Sequence, residues 1–161
     1  MRCPSLHDLP PAPAGKTGWP WTEETPQAPD RMPDGKPWPG ISIVTPSLNQ
    51  VCFIEETIRS VLLQGYPNLE YIIIDGGSTD NSMEIVGKYK QWLSYWVSEP
   101  DNGQSNAINK GFARSSGEIL YWINSDDLLK EKALQEVEEI LGRIADPMFL
   151  VGASEVIDVH G

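Results

Sequence analysis

The sequence predicts an α/β fold, a mainly parallel sheet with helices on both faces. Two observations carry this. Short β-branched runs alternate with amphipathic helical segments four times along the chain, the pattern of parallel strands joined by helical crossovers. One run, Leu69 to Asp75, holds three consecutive isoleucines, which suits a strand covered on both faces.

The elements follow in order. Ile41 to Thr45 is the first strand, ended by the turn Pro46-Ser47-Leu48-Asn49. Ile54, Ile58, Val61 and Leu62 recur at three- and four-residue steps, a helix from Phe53 to Gln64 that Gly65 and Pro67 stop. Leu69 to Asp75 is the second strand and runs into Asp75-Gly76-Gly77-Ser78-Thr79-Asp80. The next helix reaches about Trp92, with Met83, Val86 and Tyr89 facing inward and Asp80 or Ser82 as its cap. Tyr95 to Ser98 is a shorter strand, followed by the loop Glu99-Pro100-Asp101-Asn102-Gly103 and a helix from Gln104 to Arg114. Ile119 to Ile123 is expected as a buried strand that stops at Asn124-Ser125-Asp126-Asp127. A strong amphipathic helix over Lys130 to Ile144 and a last strand, Met148 to Ala153, complete the pattern.

Composition changes near residue 40. Ten of the fourteen prolines lie in residues 1–40, which have no apolar periodicity and read as an extended arm. Trp19, Trp21 and Trp38 are unusual in a pure linker and suggest that the arm lies on a protein surface. Residues 41–161 hold the domain.

The net charge of −11 opposes non-specific binding to nucleic acid or anionic membrane, which needs basic patches. No apolar run is long enough to span a bilayer, and no signal-peptide core is visible at the N-terminus. Cys3 and Cys52 have no metal-ligand spacing and read as unpaired thiols in a reducing cytoplasm.

In a parallel sheet, ligands sit beyond the carboxyl ends of the strands. The turns PSLN, DGGSTD, EPDNG and NSDD all fall on that edge. Adjacent carboxylates at the end of a buried strand repel and lose hydration, and a hard divalent cation, Mg²⁺ or Mn²⁺, would relieve both problems. Neither GxGxxG nor GxxxxGK[ST] occurs, which opposes dinucleotide dehydrogenases and P-loop hydrolases. An acidic edge can still hold a diphosphate through a bridging metal. The plain structural alternatives are that Asp75 ends a strand, Asp101 forms a turn, Glu99 and Lys110 are solvated charges, and Trp92, Trp96 and Trp122 pack the sheet.

The segments SIVTPSLNQ (42–50), ETIRSVLLQGYPNLEYIIIDGGSTDNS (56–82), SEPDNGQSNAINKGFARSSGEILYWINSDD (98–127) and VGASEVIDVHG (151–161) resemble the N-terminal, nucleotide-binding half of a family 2 glycosyltransferase. The resemblance implies a Rossmann-like GT-A sandwich, incomplete at its C-terminus. It also implies a nucleotide-sugar donor, a divalent metal at a DxD-type motif, inversion at the anomeric carbon, and a glycan or lipid-linked acceptor. Carried over by motif, the donor-binding set is Pro46, Ser47, Asn49, Asp75, Gly76, Ser78, Asp101, Gln104, Asn124, Ser125 and Asp126. Asp126 and Asp127 are the metal pair, one on the metal and the other on ribose or metal. Three positions depart from the family pattern: Asn124 and Gly76 stand where many members have Asp, and Leu48 where an aromatic residue often stacks on the base. The general base is expected beyond Gly161. Two other readings stay open: a non-catalytic binding fragment, and a nucleotidyltransferase, against which the lack of a Gly- and Lys/Arg-rich loop after the first strand counts.

Overall fold

The computed structural model describes residues 1–141. Four strands form one parallel sheet: β1 (Ile41–Ser47), β2 (Leu69–Asp75), β3 (Tyr95–Ser98) and β4 (Ile119–Trp122), in the order β3-β2-β1-β4. The helices between and after them are α1 (Ile54–Leu62), α2 (Ser82–Tyr89), α3 (Gln104–Phe112) and α4 (Ala133–Leu141). The expected strand at Met148–Ala153 and the end of the last helix lie outside the described residues.

Side-chain alternation on the central strands builds two cores. Ile41, Ile43, Leu69, Tyr71 and Ile73 pack with Ile54, Ile58, Val61 and Leu62 of α1, with Val86 and Tyr89 of α2, and with Leu134 of α4. Val44, Ile72 and Ile74 face the other way, onto Ala107 and Phe112 of α3. Gly111 lets α3 lie directly on β1, because a Cβ there would come within 2.3 Å of a Val44 methyl.

Strand β1 runs two residues further than Thr45. Val44 and Pro46 point to the same side, since Val44 O accepts from the Ile123 amide. β4 pairs with β1 only as far as Val44, so the N–H that Pro46 lacks faces no β4 partner.

The expectation of a buried fourth strand is corrected. Leu120, Tyr121 and Trp122 are 50%, 41% and 42% exposed. Among the described residues β4 pairs with β1 alone, so it has the exposure of an edge strand, whereas β1 and β2 are flanked on both sides.

Residues 1–40 lie against the α1 side of the sheet, with Cys3, Leu9, Trp21, Thr25 and Ala28 buried. Cys3, Thr25 and Ala28 donate backbone hydrogen bonds to the carbonyls of Tyr66, Leu63 and Gly65. Burial pushes the Cys3 thiol up to about 12, so it stays protonated. Among the described residues no helix is long and apolar enough to cross a membrane.

Candidate functional site

All four strands end at one edge, and the chain order reverses between β1 and β4, the switch point where α/β sheets bind ligands. Hydrogen bonds join the four turns in series.

The turns after β1 and β2 meet through Asn49, whose left-handed backbone (φ 54°) aims both its amide and its side chain at the second turn. Its amide donates to Ser78 Oγ at 2.8 Å, and its Oδ1 accepts from the Thr79 amide at 2.9 Å. Gln50 and Val51 donate to Ser82 Oγ and Asp80 Oδ2. Hydrogen bonds from Ser82 and the Val51 amide hold the Asp80 carboxyl below the usual carboxylate range.

The turns after β2 and β3 meet at Asp75, which is fully buried. Its Oδ2 accepts from the amides of Gly77 (3.1 Å) and Ser78 (2.8 Å) and from Ser98 Oγ (2.6 Å), while Oδ1 accepts from Ser78 Oγ. Both carboxylate oxygens are therefore engaged by protein donors, two backbone amides and two serine hydroxyls. Gly76 lies beside Asp101: a Cβ there would be 3.1 Å from Asp101 Oδ2. Asp101 Oδ1 accepts from the Gly103 amide at 2.7 Å, which is the turn-forming arrangement.

The turns after β3 and β4 meet through Gln104, at the start of α3. Its Nε2 donates to Asn124 Oδ1 at 2.5 Å, and Asn124 Nδ2 donates in turn to Asp127 Oδ2 at 2.9 Å. Asp126 and Asp127 are exposed. They escape the desolvation expected at the end of a buried strand, a second consequence of the position of β4. The Asn124 amide faces Asp127 with a donor, where a carboxylate would add a like charge.

Below the acidic turn, α1 presents Thr57 and Ser60 and the turn after it presents Gln64, all fully buried. Thr57 Oγ1 donates to Ser125 O at 2.9 Å, Ser60 Oγ accepts from the Leu129 amide at 3.2 Å, and Gln64 Nε2 donates to Lys130 O at 2.9 Å. These residues escaped the sequence reading. Their signal was present: spacings of three and four put the three polar side chains in one row that runs from α1 into the turn after it, beside the apolar stripe.

One feature points to a polar ligand. Ser47 is 6% exposed, and its hydroxyl at the end of β1 has no hydrogen-bond partner among the described residues. The Asp126 carboxylate lies open to solvent in the turn after β4. Among the described residues, no group of three or more His, Cys, Asp or Glu side chains could hold a metal. Asp126 and Asp127 would thus need further oxygens from a ligand, the coordination in which Mg²⁺ shares carboxylates with substrate phosphates. The residue types fit that cation. Lys110 forms an ion pair with Glu99 at 2.9 Å. Leu48 is exposed beside the Ser47 hydroxyl, at the position expected to face a base. Two cavities of about 250 and 430 Å³ lie away from the set, the first beside Met1, Glu70 and Glu118, the second beside Tyr95, Lys110 and Arg114.

The profile described as "Glycosyl transferase family 2" matches residues 42–152. The chain belongs to glycosyl transferase family 2. An uncharacterized glycosyltransferase of Mycobacterium tuberculosis is 35% identical over 108 residues, 65% of this chain and 41% of that protein. The putative teichuronic acid biosynthesis glycosyltransferase TuaG of Bacillus subtilis is 34% identical, over 64% of this chain and 42% of its own. The family 2 chain thus spans about two fifths of the length of these curated relatives. Among solved structures, a mannosyltransferase from Pyrobaculum calidifontis in complex with GDP-Man and Mn²⁺ is 25% identical with a TM-score of 0.59, over 78% of this chain and 37% of that one. S. aureus TarS in complex with UDP-GlcNAc, 24% identical with a TM-score of 0.60 over 65% of this chain and 31% of its own, shares the fold. That fold is of the GT-A type, as expected for the family 2 chain.

Proposed function

We propose that this chain supplies the donor-binding part of an inverting glycosyltransferase, which transfers a sugar from a nucleotide-diphosphate sugar to a glycan or lipid-linked acceptor. The observation that carries the reading is the hydrogen-bonded series of four turns at the switch point of a family 2 fold. Support also comes from the Mycobacterium tuberculosis glucosyl-3-phosphoglycerate synthase, whose structure with Mn²⁺, UDP and phosphoglyceric acid is 28% identical with a TM-score of 0.51, over 64% of this chain and 39% of that one.

The roles follow from position. Pro46, Ser47 and Asn49 form the base end of the site, where the free Ser47 hydroxyl offers a donor or acceptor to a base or ribose. Asp75 and Ser78 shape the second turn, and Gly76 leaves room for Asp101. Gln104, Asn124 and Ser125 hold the acidic turn, and Asp126 and Asp127 would hold Mg²⁺ or Mn²⁺. When bound, such an ion offsets the charge of the departing diphosphate. Inversion also requires a base to take the acceptor hydroxyl's proton, a role we assign to none of the described residues. A cytoplasmic setting belongs to the proposal, consistent with two unpaired thiols, Cys3 and Cys52.

Calorimetry with UDP and GDP, with and without Mn²⁺, tests the reading. One nucleotide should bind more tightly with Mn²⁺, and Asp126→Ala should remove that gain. Equal binding with and without metal, or an unchanged gain in the variant, would contradict it.

A further inference from the structure

The family match begins at residue 42 and leaves the first forty residues without a role. We propose that they form a strap that positions the acidic turn, with Trp19 and Thr25 as positioning residues. The proposal rests on the donor-binding reading.

The strap is built onto α1 and the turn after it. Arg59, 1% exposed, donates from Nε to Pro20 O (3.0 Å), from Nη1 to Pro10 O (2.8 Å) and Tyr89 Oη (3.3 Å), and from Nη2 to Trp21 O (3.2 Å). Its guanidinium carbon lies 5.1 Å from the centre of the Trp21 ring. A buried guanidinium must find acceptors for its donors, and three of these four are strap carbonyls. Trp21 Nε1 donates to Glu56 of α1 at 3.0 Å. Gly65 has φ 63°, and a Cβ there would meet Pro26 O at 2.4 Å, so the strap passes directly over it.

From this anchorage the strap reaches the segment that leaves the acidic turn. Trp19 Nε1 donates to Leu129 O at 2.8 Å, and Thr25 Oγ1 accepts from the Lys132 amide at 3.0 Å. Leu129 is two residues beyond Asp127. Lys132 has φ 62°, a left-handed conformation that a non-glycine residue keeps only where its surroundings hold it. Strap and α1 thus divide the backbone groups of one segment. Thr57, Ser60 and Gln64 take Ser125 O, the Leu129 amide and Lys130 O, while Trp19 and Thr25 take Leu129 O and the Lys132 amide. The outgoing side of the acidic turn is therefore held in part by Trp19 and Thr25, strap residues that precede the first strand.

The test uses the full chain and pairs each variant with a control. Thr25→Val removes the hydroxyl, and Thr25→Ser keeps it. Trp19→Phe removes the bond to Leu129 O. Trp38→Phe removes an indole bond of the same kind, to Pro29 O, within the strap itself. Without ligand, amide exchange at Lys132 should quicken about fivefold in Thr25→Val, as expected for the loss of one hydrogen bond, and stay unchanged in Thr25→Ser. With Mn²⁺, UDP affinity should fall about three- to tenfold in Thr25→Val and Trp19→Phe, with metal-free affinity unchanged and both controls at the parent value. Unchanged Lys132 exchange in Thr25→Val would overturn the proposal. So would faster exchange with no loss of Mn²⁺-dependent affinity, which would reduce the strap to scaffolding. If the parent chain shows no Mn²⁺-dependent binding, the donor reading fails, and the exchange experiment still decides whether the strap holds the segment.

Discussion

At the residue scale, the least expected finding is how the acidic turn is held. Asn124 stands where many members of the family have Asp, one charge short of that pattern. Its amide spans two bonds, accepting from Gln104 and donating to Asp127. An aspartate could accept the first but could not donate the second. Asn124→Ala should weaken Mn²⁺-dependent UDP binding by about two- to tenfold, the worth of one hydrogen bond, and leave metal-free binding alone. Calorimetry on the variant checks this, and an equal loss with and without metal would show Asn124 acting on the nucleotide instead. Asp75 too is held by a partner distant in sequence. Its position at the end of β2 was legible, but one of the hydrogen bonds its carboxylate accepts comes from the hydroxyl of Ser98, which lies 23 residues further along. No local pattern announces such a partner.

At the element scale, periodicity located the fold well where burial was uniform. β2 and β3 run from Leu69 to Asp75 and from Tyr95 to Ser98, as the alternation and turn residues predict. β1 extends through Pro46 because its neighbour β4 has already ended there, a fact about pairing that the proline itself does not disclose. The burial of β4 was overestimated for a related reason: an apolar run specifies a strand but not how many neighbours it has. The polar stripe of α1 was present in the sequence and overshadowed by the apolar stripe beside it. Gly111 shows how tightly the elements fit. Gly111→Ala should destabilise the chain by about 1–3 kcal/mol through overpacking against Val44, measured by denaturant unfolding. No loss of stability would mean that α3 stands further from β1 than described.

At the scale of the whole molecule, the change of composition near residue 40 marks a change of role within one packed structure. The proline-rich segment buries Trp21 and caps Arg59, and it reaches past α1 to the segment behind the acidic turn. The tryptophans signalled from sequence that the arm would be pinned down, but its target emerged only in three dimensions, because Leu129 lies 110 residues from Trp19. The central claim is that four turns, distant in sequence, make one metal-assisted nucleotide site. Paramagnetic broadening of backbone amide signals by Mn²⁺ in the presence of UDP tests it most directly. The expected result is broadening at residues 47–49, 75–78, 101–104 and 124–127 that depends on UDP and disappears in Asp126→Ala. Broadening centred instead on the carboxylates at the opposite edge, Glu70 and Glu118, or broadening at 124–127 that ignores UDP, would contradict it.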